Sequence, residues 1–245
     1  MKNFYFLYAG MMLLFTTPVL SQFEFDLETG AYFSGYNDVR IPGDNGTLFS
    51  LSEELEADPG IYYRIRLYYN ISERHHIGAL YAPLTINSSG EVNKEIIFNE
   101  TTFPANTPLD GTFQFNSYRL IYRYDFLLRE KIEMGIGFTA KIRDAKISLS
   151  GTGLKEEKTN VGFVPIIHFR LLWKWSRSIA LLLDGDALAA PQGRAEDILI
   201  ALQIKASENI DLKAGYRILE GGADNDEVYT FSLVNYAAIG VMIHF

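Results

Sequence analysis

The chain contains no cysteine. That absence excludes disulfides, thiol nucleophiles, cysteine-ligated metals and an N-terminal lipoprotein anchor. Histidine is nearly as scarce, with four in 245 residues, which leaves little material for general acid–base chemistry. Positive charge is in deficit, 22 Lys and Arg against 30 Asp and Glu, for a net charge of -8. A nucleic-acid partner would call for a basic patch or stripe, and none is present. Beyond the first residues no segment approaches ~18 continuous apolar residues, so there is no further candidate for a membrane-spanning helix. The chain beyond its N-terminal segment is therefore soluble or crosses a membrane as strands.

What the chain has in abundance is aromatic side chains, 14% with 17 Phe and 15 Tyr, alongside 21% charged residues. A barrel with lipid outside and polar groups inside needs both. Residues 1–21 have the pattern of a signal peptide. Lys2 supplies a positive start, Phe4 to Phe15 an apolar stretch, and Val19-Leu20-Ser21 a cleavage site before Gln22. Residues 22–245 are expected to form one domain.

Ten strands are expected, over 23–36, 60–71, 75–86, 114–126, 131–148, 160–174, 178–189, 196–206, 209–220 and 228–245. The connections alternate strictly. Ser72 to Arg74, Leu127 to Glu130, Trp175 to Arg177 and Ser207-Glu208 are short; the five between them are longer. Tight turns on the periplasmic side and longer loops outside give outer-membrane barrels this rhythm. The expected fold is all-β, a closed antiparallel up-and-down transmembrane barrel of about ten strands, with eight or twelve as neighbouring counts. In the loop from Asn87 to Phe113, the run Glu95 to Phe103 reads as an external hairpin. If it crossed the membrane instead, the strand count would change.

Alternation places i, i+2 and i+4 on one face of a strand. Tyr229, Phe231, Leu233, Ala237, Ile239, Val241, Ile243 and Phe245 share one face, interrupted by Asn235. Phe163, Ile167, Phe169 and Trp173 alternate with His168, Arg170 and Lys174. Aromatics gather at the short-turn ends of the apolar faces (Phe23, Phe25, Tyr69, Tyr124, Phe126, Trp173, Trp175 and Phe245), as in an interfacial girdle. The apolar faces are therefore expected to point outward, into lipid. The opposite arrangement, apolar inside, would be a soluble periplasmic lipocalin-like barrel.

The terminal run Ala237 to Phe245, and with it Val241, Ile243 and Phe245, resembles the C-terminal assembly signal of Gram-negative outer-membrane proteins. Several phrases also look like those of a poorly characterised group of small proteobacterial outer-membrane barrels. They are Phe115-Asn116-Ser117-Tyr118-Arg119, Arg143-Asp144-Ala145, Gly193 to Asp197, and Gly215-Tyr216-Arg217 followed by Glu220 to Asp224. The resemblance implies Sec export, recognition by periplasmic chaperones and the barrel-assembly machinery, and residence among outer-membrane lipid and lipopolysaccharide. It implies no activity.

With apolar faces outward, the lumen receives Arg64, Arg66, Arg119, Arg123, Arg143, Arg170 and Arg217 together with Glu24, Asp26, Asp184, Asp186 and Asp211. Glu28, Asp125, Glu133, Lys141, Lys174, Lys205 and Lys213 are further lumen candidates. Unpaired buried charge is costly, so pairing across the lumen is expected. Water-filled porins use ~16–18 strands, so a wide pore is not expected. The leading expectation is a non-enzymatic barrel with a charge-lined, occluded lumen, structural or passing small solutes slowly, with no cofactor.

The alternative is an outer-rim enzyme of omptin-like or lipid-modifying type. Omptin-type proteases also have ten strands and use an Asp pair and an Asp-His pair. Asp184 and Asp186 resemble half of such a site, placed near the outer end of their strand, with Arg194 or Arg217 as expected partners. No histidine is expected at that rim. A rim cluster of Asp184, Asp186, Glu196, Asp197, Glu220, Asp224, Asp226 and Glu227 could offer oxygen ligands to Ca²⁺ or Mg²⁺, though without the spacing of a known loop motif.

Overall fold

The computed structural model describes residues 22–191 and 193–245; the expected signal peptide, residues 1–21, lies outside the described residues. Among the described residues fifteen strands run in chain order: β1 (Phe23–Arg40), β2 (Phe49–Ser50), β3 (Glu56–Ala57), β4 (Gly60–Asn70), β5 (His75–Ala82), β6 (Thr85–Val92), β7 (Ile96–Phe98), β8 (Thr101–Phe103), β9 (Thr107–Leu128), β10 (Ile132–Gly151), β11 (Leu154–Lys174), β12 (Ile179–Ala190), β13 (Gly193–Lys205), β14 (Ile210–Asp224) and β15 (Tyr229–His244). Ten of them form an antiparallel ring in the order β10-β11-β12-β13-β14-β15-β1-β4-β5-β9, closed by pairing of β9 with β10. This is the expected ten-stranded barrel. Among the described residues no helix is long and apolar enough to cross a membrane.

The ring is apolar outside and charged inside. Leu120 and Phe163 are 60% and 65% exposed, while Arg119 and Arg217 are 5% and 1% exposed. Water-soluble barrels have the reverse polarity. The side chains of Phe23, Tyr69, Tyr124, Phe126, Trp173, Trp175 and Phe245 are exposed at the short-turn end. Phe245 closes that end by donating its N–H to Phe23 O at 2.9 Å.

Close approach inside the wall has one clear sequence cause. The Tyr68 ring on β4 lies flat over Gly78 on β5, where a Cβ would meet ring atoms at 2.5 Å. Arg66 and Arg123 stack their guanidinium groups over that ring, at 5.7 and 5.1 Å from its centroid.

The outer ends depart from expectation. The segment from Leu149 to Asn160, expected to be a loop, continues β10 and β11 to a two-residue turn at Thr152 (φ 52°) and Gly153 (φ 80°). Left-handed φ at both positions fits a turn whose twist matches the flanking strands. The charged run from Lys155 to Lys158 reads as loop because a strand with both faces in water needs no alternation. The strand expected over 75–86 is broken at Pro83, which cannot donate to a ladder. Its second part, β6, pairs with the outer end of β9. The run Glu95 to Phe103 forms the hairpin β7–β8 outside the ring, so it does not add to the barrel strands.

These outer segments bury a core of their own. Val39, Leu55, Ile96, Phe98, Phe103 and Leu149 are fully enclosed. Phe49 packs edge-on against Phe98, with centroids 6.0 Å apart.

Candidate functional site

The inward positions of β1, β4, β9, β12, β13 and β14 meet at mid-barrel in one chain of ion pairs. It starts at Asp184, which accepts from Arg66 at 2.9 Å; Arg66 also lies 3.9 Å from Asp26. Lys213 joins Asp26 (2.7 Å) to Glu28 (3.1 Å). Arg217 joins Glu28 (2.7 Å) to Asp197 (2.5 Å). Arg119 then joins Asp197 to Asp186, both at 2.5 Å. Asp184 and Asp186 both lie on β12, so the chain of pairs returns to the strand on which it began. Arg64 adds a third guanidinium to Asp197 at 2.8 Å.

Five carboxylates (Asp26, Glu28, Asp184, Asp186, Asp197) balance five cations (Arg64, Arg66, Arg119, Arg217, Lys213), all buried. Side chains of Thr139, Tyr62 and His168 add further contacts to these carboxylates. Thr139 donates to Asp186 at 2.6 Å, Tyr62 donates to Glu28 at 3.1 Å, and His168 Nδ1 lies 3.1 Å from Asp186. Such density of bonding is what burial of so many charges requires.

Smaller clusters lie toward the short-turn end. Asp125 binds Arg123 and His76, each at 2.9 Å. His244 contacts Asp211 at 3.0 Å and Glu24 at 3.7 Å. Glu133 holds Lys174 and lies 3.6 Å from Arg170. Toward the outer end Arg143 donates to Asn160 and reaches no carboxylate within 4 Å among the described residues. Lys141 is buried with its Nζ 4.5 Å above the Phe115 ring. Lys205 is exposed.

Three expectations are corrected. Asp184 and Asp186 sit at mid-barrel rather than near the outer end, since they are the sixth and eighth of the 12 residues of β12. Their partners are Arg66 and Arg119; Arg194 bonds Glu220 instead, and Arg217 bonds Glu28 and Asp197. Asp197 belongs to the lumen and is the hub of the network, not a rim residue. A strand drawn from 196 puts Asp197 at its end, whereas β13 starts at Gly193. The signal was available in the parity, since Ile198, Ile200 and Leu202 face out and Asp197 therefore faces in. With Asp184, Asp186 and Asp197 inside and Glu220 bound to Arg194, the eight acids do not gather at the rim. Among the described residues no group of three or more His, Asp or Glu is placed to hold a metal ion.

Two cavities flank the network. The one at the short-turn end has about 990 Å³ and the outer one about 490 Å³, and none of the described residues lines both.

No family model and no curated protein matches the chain. Solved structures do resemble it. The outer membrane protease OmpT from Escherichia coli is 10% identical with a TM-score of 0.52, over 94% of this chain and 99% of that one. The translocator domain of the autotransporter NalP from Neisseria meningitidis is 10% identical with a TM-score of 0.46, over 98% and 93%. The attachment invasion locus protein Ail of Yersinia pestis is 12% identical with a TM-score of 0.40, over 91% and 99%. At such identities the likeness is one of fold. By its likeness to OmpT the chain has the fold of a Gram-negative outer-membrane β-barrel.

Proposed function

We propose that the chain is an integral outer-membrane protein, exported by the Sec pathway and cut before Gln22, whose lumen is occluded at mid-barrel. Its role is then structural, or limited to slow passage of small solutes. The observation that carries this proposal is the ion-pair chain that leaves β12 at Asp184 and returns to it at Asp186, with every member buried. The exposed apolar wall and the aromatic ends at Trp173, Trp175 and Phe245 support the membrane placement. Assembly through periplasmic chaperones and the barrel-assembly machinery belongs to the same proposal.

The rim-enzyme alternative gains nothing from position. His168 and its neighbours Asp184 and Asp186 are 0%, 3% and 2% exposed, so no substrate outside the barrel reaches them.

Planar-bilayer recording tests occlusion. The purified protein should show no steady ohmic conductance, and Arg119→Ala with Arg217→Ala should introduce one. A stable open channel in the unaltered protein would sink the proposal. Recovery of the protein from the periplasm in free form would sink its membrane placement.

A further inference from the structure

The barrel wall forks in its outer half. The β11–β12 ladder runs from Lys174 opposite Ala180 to Ile167 opposite Ala187 and stops there. Both strands go on. β11 stays paired to β10 as far as Leu154, and β12 to β13 as far as Ala190. In the continued register Pro165 would face Ala189. Lys174 donates its N–H to Lys131, on the β10 side, and Trp175 donates to Ile179, on the β12 side. Strand alternation therefore aims odd-numbered N–H groups of β11 at β12. Residue 165 is where the next such donor is due, and proline has none.

The height of the fork matters. Trp173 stands eight residues below Pro165. At ~3.3 Å per residue and a tilt of ~40° that is a rise of roughly 20 Å, within the ~25 Å apolar band of such barrels. On the orientation proposed above, the gap opens in the outer leaflet. Val164 of β11 and Leu188 of β12 both line the outer cavity, so that cavity reaches the gap from inside.

The lining is amphipathic. Phe113, Phe115, Val164 and Leu188 supply an apolar wall, and Lys141 and Arg143 are two of five lining cations that face two lining carboxylates, Glu220 and Glu227. Lys141 is 2% exposed and Arg143 Nε is buried without a hydrogen-bond partner. Among the described residues neither makes an ion pair with a carboxylate. The nearby carboxylate Glu220 is taken by Arg194 and Tyr36.

We infer that the outer cavity binds an amphiphile with an anionic headgroup on an acyl chain, admitted sideways from the outer leaflet through the gap above Ile167. Lys141 and Arg143 hold the headgroup, and the chain lies against Phe115 and Leu188 toward the fork.

The test uses the full mature protein in neutral-detergent micelles, with a dansyl-labelled fatty acid as probe. Saturable binding is expected, about tenfold weaker for the matching uncharged ester and for Lys141→Met with Arg143→Gln. Heat-modifiable migration checks that each variant remains a barrel. Purified phosphorylated outer-leaflet glycolipid and unlabelled fatty acid are then added as competitors. Displacement by the glycolipid marks a membrane lipid as the occupant, and displacement by the fatty acid alone marks a free carboxylate; either supports the site. Lateral entry is read from lipid vesicles. Pro165→Cys with Ala189→Cys introduces the only thiols, and an oxidised staple should slow probe uptake until reduced. Pro165→Val, which restores the donor, should slow it as well. Absence of saturable binding, or binding indifferent to both cations, overturns the site. Uptake unaltered by the staple and by Pro165→Val overturns the sideways route.

Discussion

Arg217 on β14 grips Glu28 on β1 with two hydrogen bonds, Nε to one carboxylate oxygen at 2.7 Å and Nη2 to the other at 2.9 Å. The two residues are 189 apart in sequence. Both are buried, so the pair ties the first third of the chain to the last, past the intervening strand β15. Glu28→Gln leaves Arg217 and Lys213 short of a charge and should cost about 3–5 kcal/mol. Replacing Glu28 and Arg217 together with methionine should cost far less, since no uncompensated charge remains. Urea unfolding in micelles, followed by tryptophan fluorescence, measures both. Equal losses in the single and double variants would refute the account of the pair.

The outer core is expected to loosen independently of the ring. Phe98 is fully buried against Phe49 and belongs to the β7–β8 hairpin, outside the barrel sheet. Phe98→Ala should remove about 3–5 kcal/mol of local packing. On intact cells, added protease should cleave this variant within residues 41–58 or 93–106 faster than the parent. Heat-modifiable migration should stay unchanged. Loss of the migration shift would show that the ring depends on this core.

Acid should undock the same hairpin. Glu156, at the outer end of β11, accepts from Asn99 Nδ2 at 3.0 Å and from Thr101 Oγ1 at 2.8 Å. These bonds hold its carboxyl below the ordinary value. A carboxyl depressed in the folded state contributes stability above its ordinary value and loses it as pH falls through the folded value. Amide exchange in β7–β8 should therefore accelerate, relative to the intrinsic rate, as pH falls below the ordinary carboxyl range. Glu156→Gln should flatten that dependence, and an unchanged profile would count against the role of Glu156.

Gly78 is expected to tolerate no large side chain. A Cβ there meets the Tyr68 ring at 2.5 Å, and the ring is held between Arg66 and Arg123. Gly78→Val should cost about 1–3 kcal/mol. Tyr68→Ala in the same chain should recover part of the loss. A refolding titration compares the three variants, and additive costs would deny the contact.

Removing Phe245 should reduce insertion in cells. Its N–H and C=O bridge to Phe23 at the seam between β15 and β1, and its ring is exposed on the outer surface. Lower yield in the outer-membrane fraction with periplasmic accumulation is the expected result. Undiminished insertion would reject the assembly role assigned to the terminal residue.

The strand pattern was legible wherever one face of a strand is apolar and exposed and the other is charged and buried. Tyr63-Arg64-Ile65-Arg66-Leu67 announces its alternation because Tyr63, Ile65 and Leu67 lie on the exposed apolar wall while Arg64 and Arg66 are buried inside. Legibility fell at the outer ends. Lys155 to Asn160 form a strand with water on both faces and so have no reason to alternate, and Pro83 breaks a run that otherwise looked continuous. Asp197 was misplaced for the same reason, since a polar strand end resembles a loop. The outer core was not legible at all. Its members, such as Leu55, Phe98 and Leu149, come from distant segments and show no period.

Local alternation and turn length pointed to a ring of about ten strands, and the aromatic ends with the terminal Phe245 pointed to which face of each strand lies outward. Which charges meet was settled by the folded chain alone. Whether Asp184 pairs with Arg66 or Arg217 depends on the stagger of strands around the barrel, and stagger is a sum over every register in the ring. The fork at Pro165 is of the same kind. The proline is plain in the sequence, but the neighbouring register is needed to show that the missing donor faces Ala189 and opens the wall beside Lys141 and Arg143.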